Sequence, residues 1–152
     1  MFTVADMMTP HPYTLSASHT LADAKYLMDK HHIHHIPITD KDNALVGLIS
    51  QRDILAAQES SLERLSTSPM ITALDIPLGN TMHRDLRSVS PQAGLKDAAL
   101  YMQKHRIGCL PIVSHNELVG IITDTDFVSI AINLLEIQEE VEPDEEYESE
   151  EF

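Results

Sequence analysis

Two hydrophobic periods alternate along this chain, and the same alternation occurs twice. Leu21, Ala24, Leu27, Met28 and His31 recur at helical spacing, as do Leu95, Ala98, Ala99 and Met102. Thr20 stands ready to cap the first of these helices, with Asp23 three residues later as its acidic partner. Pro91 and Gly94 precede the second. After the first helix, Ile36-Pro37-Ile38 reads as a short strand, Lys41-Asp42-Asn43 as a turn, and Leu45 to Ser50 as a nearly all-apolar, buried strand. Asp53 opens a helix predicted over Ile54 to about Arg64, and its equivalent starts near Thr125 and runs to about Ile137. With an opening strand in the segment ahead of each first helix, each copy reads β-α-β-β-α. The fold class is α/β of the mixed α+β kind.

The repetition extends to residue identity. Residues 8–55 align with 82–128 when one residue is skipped near Asp42. His31-His32-Ile33 faces His105-Arg106-Ile107, Ile36-Pro37-Ile38 faces Leu110-Pro111-Ile112, and Leu45-Val46-Gly47-Leu48-Ile49 faces Leu118-Val119-Gly120-Ile121-Ile122. Asp53 faces Asp126. A unit of this size buries too little surface to be comfortable alone, so the copies are expected to pack face to face with pseudo-two-fold symmetry. Clefts at the seam between them are the places to look for a ligand. The expected division is a first repeat over 1–64, including the N-terminal strand segment; a linker over 65–81 with breakers Pro69, Pro77 and Gly79; a second repeat over 82–137; and a disordered acidic tail over 138–152.

Charge refines this picture. The formal net charge is −14, but residues 136–152 contain only acids among their charged side chains, leaving a nearly balanced body that can hold a local basic pocket. Nucleic acid and anionic membranes are not expected partners. No apolar run approaches membrane-spanning length, and the N-terminus lacks the pattern of a secretory signal. A single cysteine, Cys109, suits a reducing cytoplasm, the expected location.

The duplicated motifs resemble the CBS domain, named for cystathionine beta-synthase, over about residues 3–137; two such repeats form a Bateman module. The resemblance implies a stand-alone regulatory pair that binds an adenosine compound: AMP, ADP, ATP or S-adenosylmethionine. It also implies a homodimer and an unidentified regulated protein. No obligatory cofactor is expected, the nucleotide being a regulatory ligand.

Residue chemistry points to the same places. Gly47 to Asp53 and Gly120 to Asp126 are each a buried strand ending in Ser or Thr, followed by an Asp at a helix start. Helix N-termini favour phosphate. Hydroxyls of Ser50 and Thr123 can donate to phosphate oxygens, and carboxylates of Asp53 and Asp126 can accept from both ribose hydroxyls. The bland alternative is a Ser/Thr-x-x-acid capping box in each repeat. By resemblance, adenine is read by His34-His35-Ile36-Pro37 and Gly108-Cys109-Leu110-Pro111, and by the stretches Thr9 to Thr14 and Met82 to Ser88, where Tyr13 and Arg87 are equivalent. Gly108 lets a ring approach closely, whereas His34 is bulkier, so the two sites are expected to be unequal.

Related modules pair one repeat's adenine segment with the other's Ser/Thr-x-x-Asp. That places His34, His35 and Thr9 with Thr123 and Asp126, and Gly108, Cys109 and Arg87 with Ser50, Arg52 and Asp53. Arg106 resembles a basic position that meets phosphates in some members, and His32 replaces it in the first repeat.

The run His31-His32-Ile33-His34-His35 lacks an accompanying cysteine pair, and a helix-to-strand transition scatters its imidazoles, so metal binding is not expected. Cys109 reads as a small buried residue. No nucleophile constellation or Gly-rich phosphate loop stands out, and catalysis is not expected. The competing functions are a ligand-free dimerisation or interaction module and an S-adenosylmethionine sensor.

Overall fold

The computed structural model describes residues 1–64 and 73–141. Its elements are α1 (Val4–Met7), β1 (Thr9–Pro10), α2 (Leu21–His31), β2 (His35–Thr39), β3 (Leu45–Ser50), α3 (Gln51–Arg64), α4 (Leu95–His105), β4 (Cys109–Ser114), β5 (Glu117–Thr123) and α5 (Asp124–Val141). Two short 3-10 turns, Ala73–Asp75 and Leu78–Asn80, precede α4. Among the described residues no helix is long and apolar enough to cross a membrane.

Local chemistry explains the boundaries. Thr20 caps α2 reciprocally: its N–H and hydroxyl donate to Asp23 Oδ2 (2.9 and 3.2 Å), and Asp23 N–H donates back to Thr20 Oγ1 at 3.3 Å. The backbone bond from Thr20 holds the Asp23 carboxyl below its ordinary range. Helices α2 and α4 both end in a left-handed residue, His32 (φ 54°) and Arg106 (φ 53°). At the β2–β3 turn, Asn43 takes φ 62°, while Asp40 Oδ1 accepts from the N–H groups of Asp42 and Ala44.

Each repeat is an antiparallel hairpin packed on two helices. In the first, β2 pairs with β3 (Ile36 opposite Ile49), and the core gathers Leu21, Ala24, Met28, Ile36, Ile38, Ile49 and Ile54. In the second, β4 pairs with β5 (Leu110 opposite Ile122) over Leu95, Ala98, Met102, Leu110, Ile112 and Ile122.

The leading segments are exchanged between the repeats. β1 pairs not with the first hairpin but with β5, Thr9 opposite Ile121 and Pro10 opposite Gly120. Val4 is fully buried in the second core and its N–H donates to Ala93 O at 2.8 Å. Reciprocally, His83 bridges to Leu48, and Leu78 and Met82 complete the first core. The N-terminal segment, expected to lie with the first repeat, thus packs on the second. Residues 73–81, expected as linker, pack on the first; residues 65–72 of that linker lie outside the described residues.

A glycine lies under each exchanged segment. A Cβ on Gly47 would sit 2.2 Å from Met82 Sδ, and one on Gly120 would sit 2.9 Å from the Thr9 carbonyl oxygen. The second helix of each repeat also starts earlier than periodicity indicates, at Gln51 and Asp124, because the cap is Ser50 or Thr123 rather than the aspartate. Helix α5 runs to Val141, so the expected start of the tail at 138 falls within it. Pro143 is the first breaker beyond that point. The remaining tail lies outside the described residues.

Candidate nucleotide-binding cleft

A cleft of about 930 Å³ opens where the two repeats meet. One wall is Ser50, Gln51, Arg52 and Asp53 at the end of β3 and start of α3; the opposite wall is Arg106 to Cys109 with Pro111, leading into β4. Arg87 enters from the exchanged segment of the second repeat, with His83 and Asp85. The set anticipated from sequence around Ser50, Arg52, Asp53, Arg87, Gly108 and Cys109 is therefore brought together.

Ser50 and Asp53 form a capping box. Asp53 Oδ2 accepts from Ser50 N–H at 2.7 Å and from Ser50 Oγ at 2.8 Å, and Asp53 N–H donates to Ser50 Oγ at 3.3 Å. This leaves Asp53 Oδ1 outside the box, where His83 Nε2 lies 2.7 Å away. Thr123 and Asp126 repeat the arrangement: Asp126 Oδ2 accepts from Thr123 N–H at 2.9 Å, and Asp126 N–H donates to Thr123 Oγ1 at 3.3 Å. Here the external partner is Thr9, whose hydroxyl lies 3.2 and 3.4 Å from the two carboxylate oxygens. The capping reading thus holds geometrically in both repeats. It leaves one carboxylate oxygen of Asp53 presented outward.

Thr9 meets Asp126 as the sequence pairing anticipates, and His34 and His35 lie beside Ser50 in their own repeat. Both line the cleft that contains Ser50 and Asp53. The hairpin dictates this: His34 O accepts Gln51 N–H at 2.9 Å, His35 sits opposite Ser50, and His34 Nδ1 meets Gln51 Oε1 at 2.7 Å. Tyr13 stacks on His31, with ring centroids 3.9 Å apart. Thr14 is half-buried just before Leu15, and Pro37 is fully buried in β2, its carbonyl accepting Leu15 N–H.

Sequence reasoning missed His83 and Asp124. His83 is the counterpart of Thr9, a relation visible in the repeat alignment; Asp124 sits between Thr123 and Asp126 in the motif already singled out.

Fixed charge in the cleft balances: Arg52, Arg87 and Arg106 against Asp53, Asp85 and Asp124. The arginines offer phosphate donors. Burial lowers the proton affinity of His35 below its ordinary 6.5, with Asp124 opposing the shift. Burial likewise pushes the Cys109 thiol up to about 12, and Asp126 and Asp124 add to it. Cys109 is therefore a neutral, small wall residue rather than a thiolate. Gly108 has His35 Nε2 and Asp124 Oδ2 each 3.2 Å from where its Cβ would be, so a side chain there would press on both. The cleft can thus take a flat ring beside Gly108, Cys109, Pro111, Leu48 and Leu86, and an anion beside its arginines.

Comparison with known proteins accords with this arrangement. The model of the CBS domain family matches residues 4–60 and 74–133. The CBS domain-containing protein YhcV of Bacillus subtilis is 33% identical over 133 residues, 88% of this chain and 86% of that protein. Two further curated relatives are enzymes, the L-aspartate semialdehyde sulfurtransferase of Methanocaldococcus jannaschii (30% identical) and the inosine-5'-monophosphate dehydrogenase of Bifidobacterium longum (31% identical), of which the match spans only 22% and 21%. Among solved structures, a putative acetoin utilization protein (AcuB) from Vibrio cholerae matches with a TM-score of 0.83 and 58% identity, covering 91% of this chain and 98% of that one. CBSX2, in complex with AMP, matches with a TM-score of 0.74 and 27% identity, covering 89% and 99%. With two matched repeats, two exchanged lead segments and a cleft at their seam, this chain belongs to the CBS-domain family as a pair of CBS repeats.

Proposed function

We propose that this CBS pair is a regulatory module that binds an adenine nucleotide in the Ser50–Asp53 and Gly108–Pro111 cleft and passes the occupancy of that cleft to a partner protein. The observation that carries the reading is the convergence in one cleft of three arginines, an outward carboxylate oxygen and an apolar slot lined by Leu48, Leu86 and Pro111. Adenine fits the slot, the ribose hydroxyls meet Asp53, and phosphates meet Arg52, Arg87 and Arg106. The AMP bound by CBSX2 supports the ligand class.

Because both repeats supply walls, binding draws them together. A ligand that favours one relative placement of the repeats shifts the population toward it. A Kd of about 10–100 μM, near −6 kcal/mol, suffices for a sensor of cellular nucleotide.

Catalysis is not part of the proposal. Asp53 keeps one of its two oxygens in its cap, and Cys109 holds its proton. The buried single cysteine also favours a reducing compartment. Helix α5 supports the homodimer: it has no buried residue and exposes Val128, Ile132, Leu134, Leu135 and Ile137, a surface suited to a second copy.

The test is isothermal calorimetry with AMP, ADP, ATP and S-adenosylmethionine on the wild type and on Arg87→Ala. Saturable binding of an adenine nucleotide that weakens at least 5-fold in Arg87→Ala is the expected result. S-adenosylmethionine binding alone would move the protein to the sulfonium class. No binding to any of the four would leave a ligand-free interaction module.

A further inference from the structure

The two aspartates at the helix starts are equivalent in sequence but not in their partners. Each has one oxygen committed to its own repeat, Asp53 to Ser50 and Asp126 to Thr123. The second partner comes from the exchanged segment of the other repeat, and there the symmetry ends. Asp126 meets the hydroxyl of Thr9, spread over both oxygens at 3.2 and 3.4 Å. Asp53 meets the His83 imidazole through one short contact of 2.7 Å, on the oxygen that its cap leaves available.

The His83 backbone is fixed by two hydrogen bonds to Leu48, 3.1 and 2.9 Å, while its side chain is 64% exposed. The ring can therefore leave Asp53 by side-chain rotation alone, without disturbing the bridge beneath it.

We propose that His83 is a latch on the ribose subsite: it holds Asp53 Oδ1 until the vicinal hydroxyls of a bound nucleotide take that oxygen and turn the imidazole out. The inference rests on the nucleotide reading above and adds a positioning residue to it. The two sites are then unequal for a reason beyond cleft shape. A ribose arriving at Asp53 competes with an imidazole, whereas one arriving at Asp126 competes with a weakly placed hydroxyl. His83 is also on the segment that carries Arg87, so the side chain that yields to ribose is four residues from one that meets phosphate.

The measurement is calorimetric titration of the full chain with AMP and with 2′-deoxy-AMP, on the wild type, His83→Ala and His83→Gln. Arg52, Arg87, Arg106, His34, His35, Asp85 and Asp124 also face this cleft, so removing an imidazole alters its polarity for both ligands. The ratio of the two Kd values cancels that common effect.

An exposed imidazole–carboxylate contact of this kind is worth about 1.5- to 5-fold in an equilibrium. The ratio of deoxy-AMP to AMP Kd is expected to rise by that factor in His83→Ala. A smaller rise is expected in His83→Gln, which retains a neutral donor for Asp53. A ratio that stays constant or falls in His83→Ala overturns the latch while leaving nucleotide binding standing. No binding of either ligand to the wild type overturns both.

Discussion

Gly47 and Gly120 occupy equivalent positions under the two exchanged segments, and alanine at each should have different consequences. At Gly120 an added Cβ would meet Met8 Sδ at 2.6 Å, Thr9 O at 2.9 Å and Met8 Cγ at 3.2 Å. At Gly47 the overlap is nominally worse, 2.2 Å to Met82 Sδ and 2.8 Å to Met82 Cγ, but every contact is to one methionine side chain. A thioether with three rotatable bonds can withdraw, whereas a carbonyl in a paired strand cannot. Thr9 O retreats only if β1 lifts from β5, breaking the register Thr9–Ile121 and Pro10–Gly120. No glycine has a positive φ, so alanine adds no backbone strain at either position, and both substitutions gain about 0.4–1 kcal/mol from a stiffer unfolded chain.

Overpacking against the fixed backbone costs about 1–3 kcal/mol. Gly120→Ala should therefore lose about 1–2 kcal/mol net, a fall in Tm of roughly 2–8 °C for a chain of this length. Gly47→Ala should stay within about 0.5 kcal/mol of wild type. Urea denaturation of both variants beside wild type gives the comparison. If Gly47→Ala is the less stable of the two, or Gly120→Ala is neutral, β1 is not held against β5 as described.

Three further outcomes follow from the same geometry. Cys109, with its thiol pushed up to about 12, should resist iodoacetamide at pH 8 in the folded protein and react on unfolding in urea; rapid alkylation of the native chain would contradict its burial. His35 has a lowered proton affinity in the fold, so the unfolded chain binds more protons than the folded one just below pH 6.5. Its contribution to stability is present above 6.5 and is lost as pH falls through the folded value; His35→Gln should flatten that part of the stability–pH curve. Val4→Ala removes buried methyl groups from the second core and should cost about 2 kcal/mol, with hydrogen exchange accelerating in β4 and β5 before β2 and β3. Uniform acceleration across both hairpins would deny that Val4 belongs to the second repeat.

The helices and hairpins were legible because their signals are local. Helical spacing from Leu21 to Met28, the Thr20–Asp23 cap and the apolar run from Leu45 to Ile49 each report on residues close in sequence. The site segments were legible for another reason, duplication, which marked Ser50 and Asp53 through their likeness to Thr123 and Asp126. The partner of each segment was not. An alignment states that residues 9 and 83 are equivalent without stating that each crosses to the other repeat, because that choice is made by contacts such as Leu48–His83 that carry no local pattern. The register of β2 on β3 sets His35 opposite Ser50, as that of β4 on β5 sets Cys109 opposite Thr123.

The exchange of lead segments changes what half of this chain means. Cut between residues 64 and 73, the first piece would carry Val4 and β1, which finish the other piece's core, while the second would carry Leu78 and Met82, which finish the first's. Neither fragment is a repeat. Each is a repeat with its neighbour's keystone attached, and the two should regain structure only when mixed. For such a protein the smallest complete unit is the pair, because deleting either copy removes part of the core of the one that stays.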